Sequence, residues 1–488
     1  MKMYKYQYYK ELESKKELIV QEAKEAGFEI GILPGMENQL GLYPSNSGYP
    51  RPLPRRIRAA VTKVQSQTVL MTGLVNRLRE LVKDIYGDEY DAVPVNTAEA
   101  GLLISFDTLV APPFVGRGIT YRARYIVPLE RSIEYFGAYG RPFPPFYKDI
   151  ISDRGCSVGS FGVQGKALEN LDVVYMRLPG ARYENHGIKY YTTCLLGNVD
   201  PEEARNHLLQ IAERHCHYLA GFASLGYDVP TNGYGKKDNE GTPLLQKYLG
   251  ETAKLYDVPY IVDNAMGLPG IGTDIRKTGA DIMVYSMDKA ANAPTSGLII
   301  GLEERIVPIR RALGMHTEKS GTTGSYGKAA YVTADPGRDA IAGQIATLEW
   351  IQEEPDMFIK PVDTLFAIVK EEIMSLPAFL QKGITITPSY NSQGVFLDYT
   401  ATWENEEFGI PIFTVEDLSA GSDLFLQATR AMGLMPTLTH GGSIFVGHGF
   451  GTVDDEGNLI EERMRLAVKA LVKIIEIICR HAGLIKSQ

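Results

Sequence analysis

The sequence has few cysteines, and none is placed like a metal ligand or a redox pair. Its cysteines, Cys156, Cys194, Cys216 and Cys479, lie far apart and show no Cys-x-x-Cys spacing. Such a spacing is typical of zinc sites and of thioredoxin-like motifs. We therefore predict reduced thiols in a reducing compartment, the cytoplasm, and no metal site.

Long apolar runs, a leader peptide and a basic segment are also missing. No stretch reaches the roughly 18 uncharged apolar residues that a membrane-spanning helix needs. Residues 1–23 are charged and helical in pattern, without the apolar core and small-residue cleavage site of a signal peptide. The net charge is −9, from 50 basic and 59 acidic residues. We expect no membrane partner, and the charge argues against nucleic acid as the main partner.

What is present is the composition of a globular protein, with 44% hydrophobic and 22% charged residues. A chain of 488 residues is too long for one simple core, so we expect more than one domain. We predict an N-terminal helix and irregular arm over 1–54, a major domain over 55–335 and a small domain over 336–488. Within the major domain, the arginine-rich and aromatic segment 116–149 is a candidate insertion.

Short apolar runs alternate with helical stretches from about residue 90 onward. Runs such as VPYIVDNA, ADIMVYSMD and SGLIIGLE end in Asn, Asp, Ser or Gly. Nearly continuous apolar runs between helices are typical of parallel strands covered on both faces. We therefore predict an α/β fold with a doubly wound, mostly parallel sheet. Beyond residue 340, alternating segments and a last amphipathic helix predict a smaller α+β domain with antiparallel strands.

The first segment with a chemical signal is PVNTAEAG, residues 94–101, at a strand-to-helix junction. Small residues and a hydroxyl here leave backbone N–H groups unpaired at the positive end of a helix. A phosphate binds readily at such a position. An ordinary capped turn would have the same sequence.

The second segment is YIVDNA, in which a short apolar strand ends at Asp263. Ligands of open α/β sheets gather at the carboxyl ends of the strands. A carboxylate there can bind a metal, accept a ribose hydroxyl or pair with a protonated pyridine nitrogen. It can equally be a helix N-cap, so this segment alone leaves the role of Asp263 open.

The third segment is GADIMVYSMDK, in which another strand leads to Lys289. Burying an ammonium group is costly, so a lysine among buried strands usually has a role. A desolvated lysine amine can form an imine with an aldehyde. The alternative is a surface lysine whose stem lies along apolar surface while its amine reaches water.

Taken together, the three segments supply what pyridoxal 5′-phosphate requires of a protein. A phosphate site, an acid for the pyridine nitrogen and an imine-forming lysine follow successive strands. An anion at Asp263 would keep the ring nitrogen protonated. We therefore predict this cofactor.

The residues around Lys289 also resemble a known family. GADIMVYSMDKAANAPTSGLIIG is similar to the lysine region of the L-seryl-tRNA selenium transferase (selenocysteine synthase) family, within the aspartate-aminotransferase superfamily of fold type I. PVNTAEAGLL is similar to that family's phosphate segment, and YIVDNAMG stands where the family has its strand-end aspartate. The likeness covers roughly residues 60–345.

This resemblance implies roles for individual residues. Lys289 would be the Schiff-base lysine and Asp263 the partner of the pyridine nitrogen. The other predicted cofactor-binding residues lie beside them or form the phosphate site: Asn96, Thr97, Ala98, Glu99, Ala265 and Ser286. Fold type I sites are usually completed by a second subunit, so we expect a homodimer or higher homo-oligomer.

The reaction is less defined than the cofactor. The small tRNA-binding module of the family is not recognisable in residues 1–54, which favours a small amino substrate. The family resemblance favours elimination or β-replacement as the reaction. An aminotransferase, a tRNA-dependent seleno- or thio-transferase and a non-catalytic cofactor-binding protein are the alternatives. For substrate contacts we select Arg122, Arg182 and His186, because guanidinium groups match carboxylates.

Overall fold

A computed structural model gives the fold of most of the chain. It describes residues 5–33, 36, 39–45, 49–110, 124–128, 189–193, 201–214, 216–217, 219–230, 234–314, 332–399, 401–404, 409–412, 422–437, 439–440 and 443–486.

The described strands form two sheets. Their bounds are β1 Tyr90–Val95, β2 Arg124–Pro128, β3 Lys189–Thr193, β4 Leu219–Leu225, β5 Tyr260–Asp263, β6 Ile282–Ser286, β7 Gly297–Leu302, β8 Thr385–Ser389, β9 Gly394–Asp398, β10 Thr439–His440 and β11 Ser443–Gly447. The seven-stranded sheet has the order β1-β7-β6-β5-β4-β2-β3, and the four-stranded sheet has the order β10-β11-β9-β8.

Helices lie between most of these strands. Their bounds are α1 Lys5–Ser14, α2 Lys16–Glu29, α3 Arg55–Gln65, α4 Met71–Tyr86, α5 Ala98–Ser105, α6 Pro201–Arg214, α7 Leu244–Leu255, α8 Ile275–Thr278, α9 Glu303–Ala312, α10 Arg338–Glu353, α11 Asp356–Ile373, α12 Ala378–Gln381, α13 Ala401–Glu404, α14 Ser422–Ala431 and α15 Glu461–His481. Among the described helices, none is both long enough and apolar enough to cross a membrane.

The large sheet is parallel except for β7, which runs antiparallel to β1 and to β6. The pairs β6–β5, β5–β4, β4–β2 and β2–β3 are all parallel. The predicted α/β fold with a mostly parallel sheet is therefore confirmed. The four-stranded sheet is antiparallel throughout, as predicted for the C-terminal part.

The described chain divides into two compact units. The larger unit contains the described residues of Asn46–Leu129 and Ser160–Pro355, with the seven-stranded sheet. The smaller unit contains those of Met1–Ser45 and Asp356–Gln488. The predicted domain limits at residues 54 and 335 stay predictions. Two features were not predicted. Strand β2 lies within the segment 116–149, and the described residues before Ser45 belong to the same compact unit as those after Asp356.

Close packing of helix α5 on the sheet requires a glycine. Gly101 lies one turn into α5, and a Cβ there would be 3.0 Å from Val284 Cγ1 and 3.2 Å from Ile299 Cγ1. Because interiors are packed at crystal-like density, a larger residue would push the helix away from β6 and β7. The glycine thus sets the position of the helix N-terminus relative to the sheet.

The smaller unit has its own apolar core, in which helix α2 packs against α14 and α15. Ile19 and Ala23 of α2 are fully buried there. At the edge of this contact, Glu22 accepts hydrogen bonds from Arg480 and, at 2.7 Å, from His481 Nε2. Burial alone would raise the pKa of Glu22, but these two hydrogen bonds lower it below its ordinary value of 4.5.

We predict that Asp91→Asn destabilises the larger unit by about 3–5 kcal/mol, since it breaks a buried ion pair. The fully buried Asp91 carboxylate accepts hydrogen bonds from Arg79 Nε at 2.7 Å and Nη2 at 2.9 Å. Arg310 Nη1 lies 3.5 Å from its Oδ2. Urea unfolding measures the effect. The control is Glu251→Gln, which removes an exposed pair with Arg205 and should cost well under 1 kcal/mol. Equal losses in both variants would contradict the prediction.

Candidate active site

The segments selected from the sequence meet at one edge of the large sheet. Since β7 is antiparallel to both β1 and β6, strands β1, β6 and β5 run in the same direction. Their carboxyl ends therefore share an edge, which is also where β7 begins. Thr97 follows β1, Asp263 ends β5 and Lys289 follows β6. Ligand sites of open α/β sheets lie at such an edge.

Thr97 is the N-cap of helix α5. Its backbone is extended, and its Oγ1 accepts a hydrogen bond from Ala100 N at 3.1 Å. The remaining amides of the first turn, at Ala98 and Glu99, have no partner within the helix. The side chain of Glu99 is exposed, so this residue can contribute through its backbone N–H. The helix end therefore offers N–H groups at the positive end of its dipole.

Gly297, the first residue of β7, lies very close to the backbone of this helix end. A Cβ at Gly297 would lie 2.6 Å from Ala98 N and 2.6 Å from Thr97 C. Any side chain at that position would therefore collide with the backbone of the cap. The glycine allows the start of β7 and the start of α5 to lie against each other.

Asn96 connects the end of β1 to a short 3₁₀ turn over Val332–Ala334. Its backbone N–H donates to Ala334 O at 2.9 Å, and its Nδ2 donates to Thr333 O at 2.7 Å. Its Oδ1 is buried and has no hydrogen-bond partner among the described residues. Asn96 thus fixes the loop before the helix cap and presents an acceptor there.

Asp263 is held by its neighbours on both sides. Its carbonyl accepts from Gly226 N at 2.8 Å, and the next residue donates from Asn264 N to Val284 O at 2.8 Å. The carboxylate Oδ1 accepts from Ala265 N at 3.0 Å. This local turn fixes the side-chain orientation of the half-buried Asp263. The predicted residue Ala265 acts here through its backbone N–H.

Asn264 is a site residue that the sequence did not single out. It is 1% exposed, and a Cβ at Gly226 or Gly267 would lie 2.3 Å or 2.2 Å from its Oδ1. Its Nδ2 donates to Met283 Sδ at 3.4 Å. The two glycines leave the space that this side chain fills, so Asn264 locks the turn after Asp263.

A buried tyrosine binds the loop that follows Asp263 further along the chain. Tyr86 Oη accepts a hydrogen bond from Gly270 N at 2.6 Å and lies 3.4 Å from Tyr285 Oη. Burial raises the pKa of Tyr86 to about 12, so its hydroxyl stays protonated at neutral pH. The loop after Asp263 is therefore fixed at several points along its length.

Lys289 lies in the turn between β6 and β7. The lysine is half-buried, and its backbone N–H donates to Ser286 O at 3.4 Å. The predicted residue Ser286 donates its hydroxyl to the buried Asp288 Oδ1 at 2.6 Å. Asn292 has a positive φ of 55° and donates its backbone N–H to Lys289 O at 3.1 Å. These contacts give the lysine backbone a defined position at the sheet edge.

The structure places most predicted site residues but not all of them. The predicted substrate residues Arg122, Arg182 and His186 lie outside the described residues. Strand β4 was not foreseen, although its carboxyl end reaches the same edge and its neighbour Gly226 contacts Asp263. Within the described ranges, no group of three or more His, Cys, Asp or Glu side chains is arranged to hold a metal.

No family model and no curated protein matches the sequence. Solved structures do show a likeness over most of the chain. A D-glucosaminate-6-phosphate ammonia-lyase is 15% identical with a TM-score of 0.46, covering 90% of this chain and 95% of its own. An omega-transaminase from Sphaerobacter thermophilus is 11% identical with a TM-score of 0.49, covering 88% and 83%. A ureidoglycine-glyoxylate aminotransferase from Bacillus subtilis is 13% identical with a TM-score of 0.46, covering 86% and 94%. These likenesses concern the fold alone and do not decide the reaction.

Proposed function

We propose that this chain is a pyridoxal-phosphate-dependent enzyme that acts on an amino acid or a related small amine. The main support for the proposal is the set of residues at one edge of the large sheet. An amine at Lys289, a carboxylate at Asp263 and a capped helix N-terminus at Thr97 follow strands that end at one edge. Each group alone has an ordinary structural explanation, but this cofactor needs all three together.

The residues at this edge fit the chemical groups of pyridoxal 5′-phosphate. The N–H groups of Ala98 and Glu99 would hold the phosphate, with the Thr97 hydroxyl beside them. Asp263 would pair with the pyridine nitrogen, and Lys289 would form the Schiff base with the aldehyde. The loops after β1 and β6 also contain two buried acceptors without hydrogen-bond partners in the described chain, Asn96 Oδ1 and Asn292 Oδ1. Both could accept further hydrogen bonds.

When bound, the pyridine ring supplies an electron sink for the negative charge left by proton removal from the substrate. The chain supplies the rest. The Asp263 anion would keep the ring nitrogen protonated. The Lys289 amine would act as the general base that takes the α-proton of the substrate. The turn around Asn264 and Ala265 keeps the carboxylate aimed in one direction.

For the reaction we propose elimination or β-replacement, with an amino acid or an amino sugar as substrate. Transamination is the second candidate, because it shares the proton removal at Lys289. Elimination would then expel a β-substituent, whereas transamination would return the proton to the carbon that came from the cofactor aldehyde. A tRNA-dependent transfer and a non-catalytic cofactor-binding protein are the remaining alternatives. We also propose a homodimer, in which a second subunit completes the site.

The test is a spectral titration of the purified chain with pyridoxal 5′-phosphate. We expect a yellow protein, and after borohydride reduction an adduct that peptide mapping locates at Lys289. Amino acids and amino sugars are then screened for changes in the absorption spectrum, and products are identified. A colourless protein without an adduct at Lys289 would refute the proposal. Colour that no amine changes would favour the non-catalytic alternative, and retention of seryl-tRNA on a filter would favour the tRNA-dependent one.

A further inference from the structure

One face of helix α10 lies against the turn that carries Lys289. Gly343 and Gln344 lie on this face with Thr347 one turn further along, and the side chains of Gln344 and Thr347 are fully buried. Buried polar side chains are retained at a cost unless they make hydrogen bonds. Outside the helix, the partners of Gln344 and Thr347 are in the turn after Lys289 and at the start of β7.

Thr347 bonds the turn two residues beyond the lysine. Its Oγ1 lies 3.0 Å from Ala291 O and 3.0 Å from Gly343 O. Gly343 O is already an acceptor within the helix, whereas Ala291 O belongs to an irregular turn. Because a buried carbonyl without a donor is costly, the Thr347 hydroxyl stabilises this conformation of the turn.

Gln344 bonds the other end of the same turn. Its Nε2 donates to Gly297 O at 3.0 Å. Gly297 is also the residue whose missing side chain leaves room for the Thr97–Ala98 backbone. Gln344 therefore holds the point where the lysine turn meets the helix cap proposed to bind phosphate.

Gly343 sets how closely the helix approaches. A Cβ at this position would lie 2.2 Å from Pro294 Cδ and 3.5 Å from Ala293 Cβ. The proline ring is rigid, so a methyl group here would force the turn and the helix apart.

Outside this face, α10 is tied to α3 and α4, on which the helix packs. Arg77 of α4 pairs with Glu349 at 2.9 Å, and Gln65 of α3 donates to Asp339 at 2.8 Å. Arg56 pairs with Glu354 at 3.2 Å. These contacts with α3 and α4 hold α10 in place against the lysine turn.

We propose that Gly343, Gln344 and Thr347 are positioning residues for Lys289. They fix the turn so that the lysine amine meets the cofactor aldehyde in a reactive orientation. This inference rests on the proposed function, since it concerns the same lysine. It adds that reactivity at Lys289 depends on a helix far from it in sequence.

The test compares Thr347→Val, which keeps the shape and removes the hydroxyl, with Thr347→Ser, which keeps the hydroxyl. We expect Thr347→Val to weaken pyridoxal phosphate binding about 10-fold, the effect of one unsatisfied buried carbonyl. The rate of the borohydride-fixed adduct at Lys289 should fall in parallel, and Thr347→Ser should restore both. The readouts are an absorption titration and mass spectrometry of the Lys289 peptide.

Thr252→Val is the matched control. Thr252 is equally a buried helical threonine, but its hydroxyl donates to Tyr248 O of its own helix, α7. It should lower thermal stability without changing cofactor affinity. If Thr347→Val folds poorly, Gln344→Leu gives the same comparison at Gly297. Wild-type affinity and adduct rate in Thr347→Val or Gln344→Leu would overturn the positioning role alone. Absence of any Lys289 adduct in the wild-type chain would overturn the proposed function as well.

Discussion

Replacing Lys289 with alanine is expected to abolish catalysis, with a loss in kcat of about 10³-fold or more. The lysine is proposed both to hold the cofactor and to take the substrate proton, so both contributions disappear together. Borohydride reduction should then leave no adduct at this position. The measurement is kcat with the substrate found in the spectral screen, together with the mass of the peptide that contains residue 289.

The control for this variant is Lys277→Ala. Lys277 is an exposed lysine in α8 that pairs with Glu240 at 3.8 Å, away from the strand ends of the site. It should retain the activity and the adduct of the wild type. A Lys289→Ala protein that still turns over at the wild-type rate would show that another group forms the imine.

Asp263→Asn is expected to lower kcat/KM about 100-fold, the cost of breaking one partner of a largely enclosed ion pair. Asparagine is the informative replacement because its carbonyl oxygen can still accept the hydrogen bond from Ala265 N. The turn therefore keeps its shape while the anion is lost. Loss of the Asp263 anion would favour the unprotonated ring nitrogen, and the ring would then withdraw less electron density from the substrate. Cofactor affinity and the absorption maximum should both change.

Asp274→Asn is the matched comparison. Asp274 is also half-buried, and its Oδ1 accepts a backbone hydrogen bond two residues on, from Arg276 N at 2.9 Å. It caps helix α8 and does not lie at a strand end. Its replacement should cost a little stability and leave kcat/KM unchanged. If the two asparagine variants behave alike, Asp263 is a structural cap, and the assignment of the pyridine partner is wrong.

The central strands of the large sheet could be predicted because their apolar residues are consecutive in the sequence. Strands β5, β6 and β7 are short apolar runs that end in turn residues, and the structure has strands at those places. Helix α5 after β1 was predictable in the same way, from Thr97 and the small residues that follow it. In these cases each local preference agrees with the final fold.

Other parts could not be found from local patterns. Strand β4 has the sequence LAGFASL, whose small residues give little β signal. Asn264 gains its position from Gly226 and Met283, which are distant in sequence and come together only in the folded sheet. The face of α10 that contacts the lysine turn has the same limitation. Its polar residues look like interruptions of a helix until their acceptors are known.

The pairing of helix α2 with α15 also has a consequence for biosynthesis. Glu22 and His481 are 459 positions apart, so the first helices are translated long before their partner exists. All residues of the larger unit, which ends at Pro355, are translated before α15. The apolar stripe of α2 has to stay shielded from other nascent chains throughout that interval. On the ribosome, helix α2 can therefore form these native contacts only after α15 has been translated.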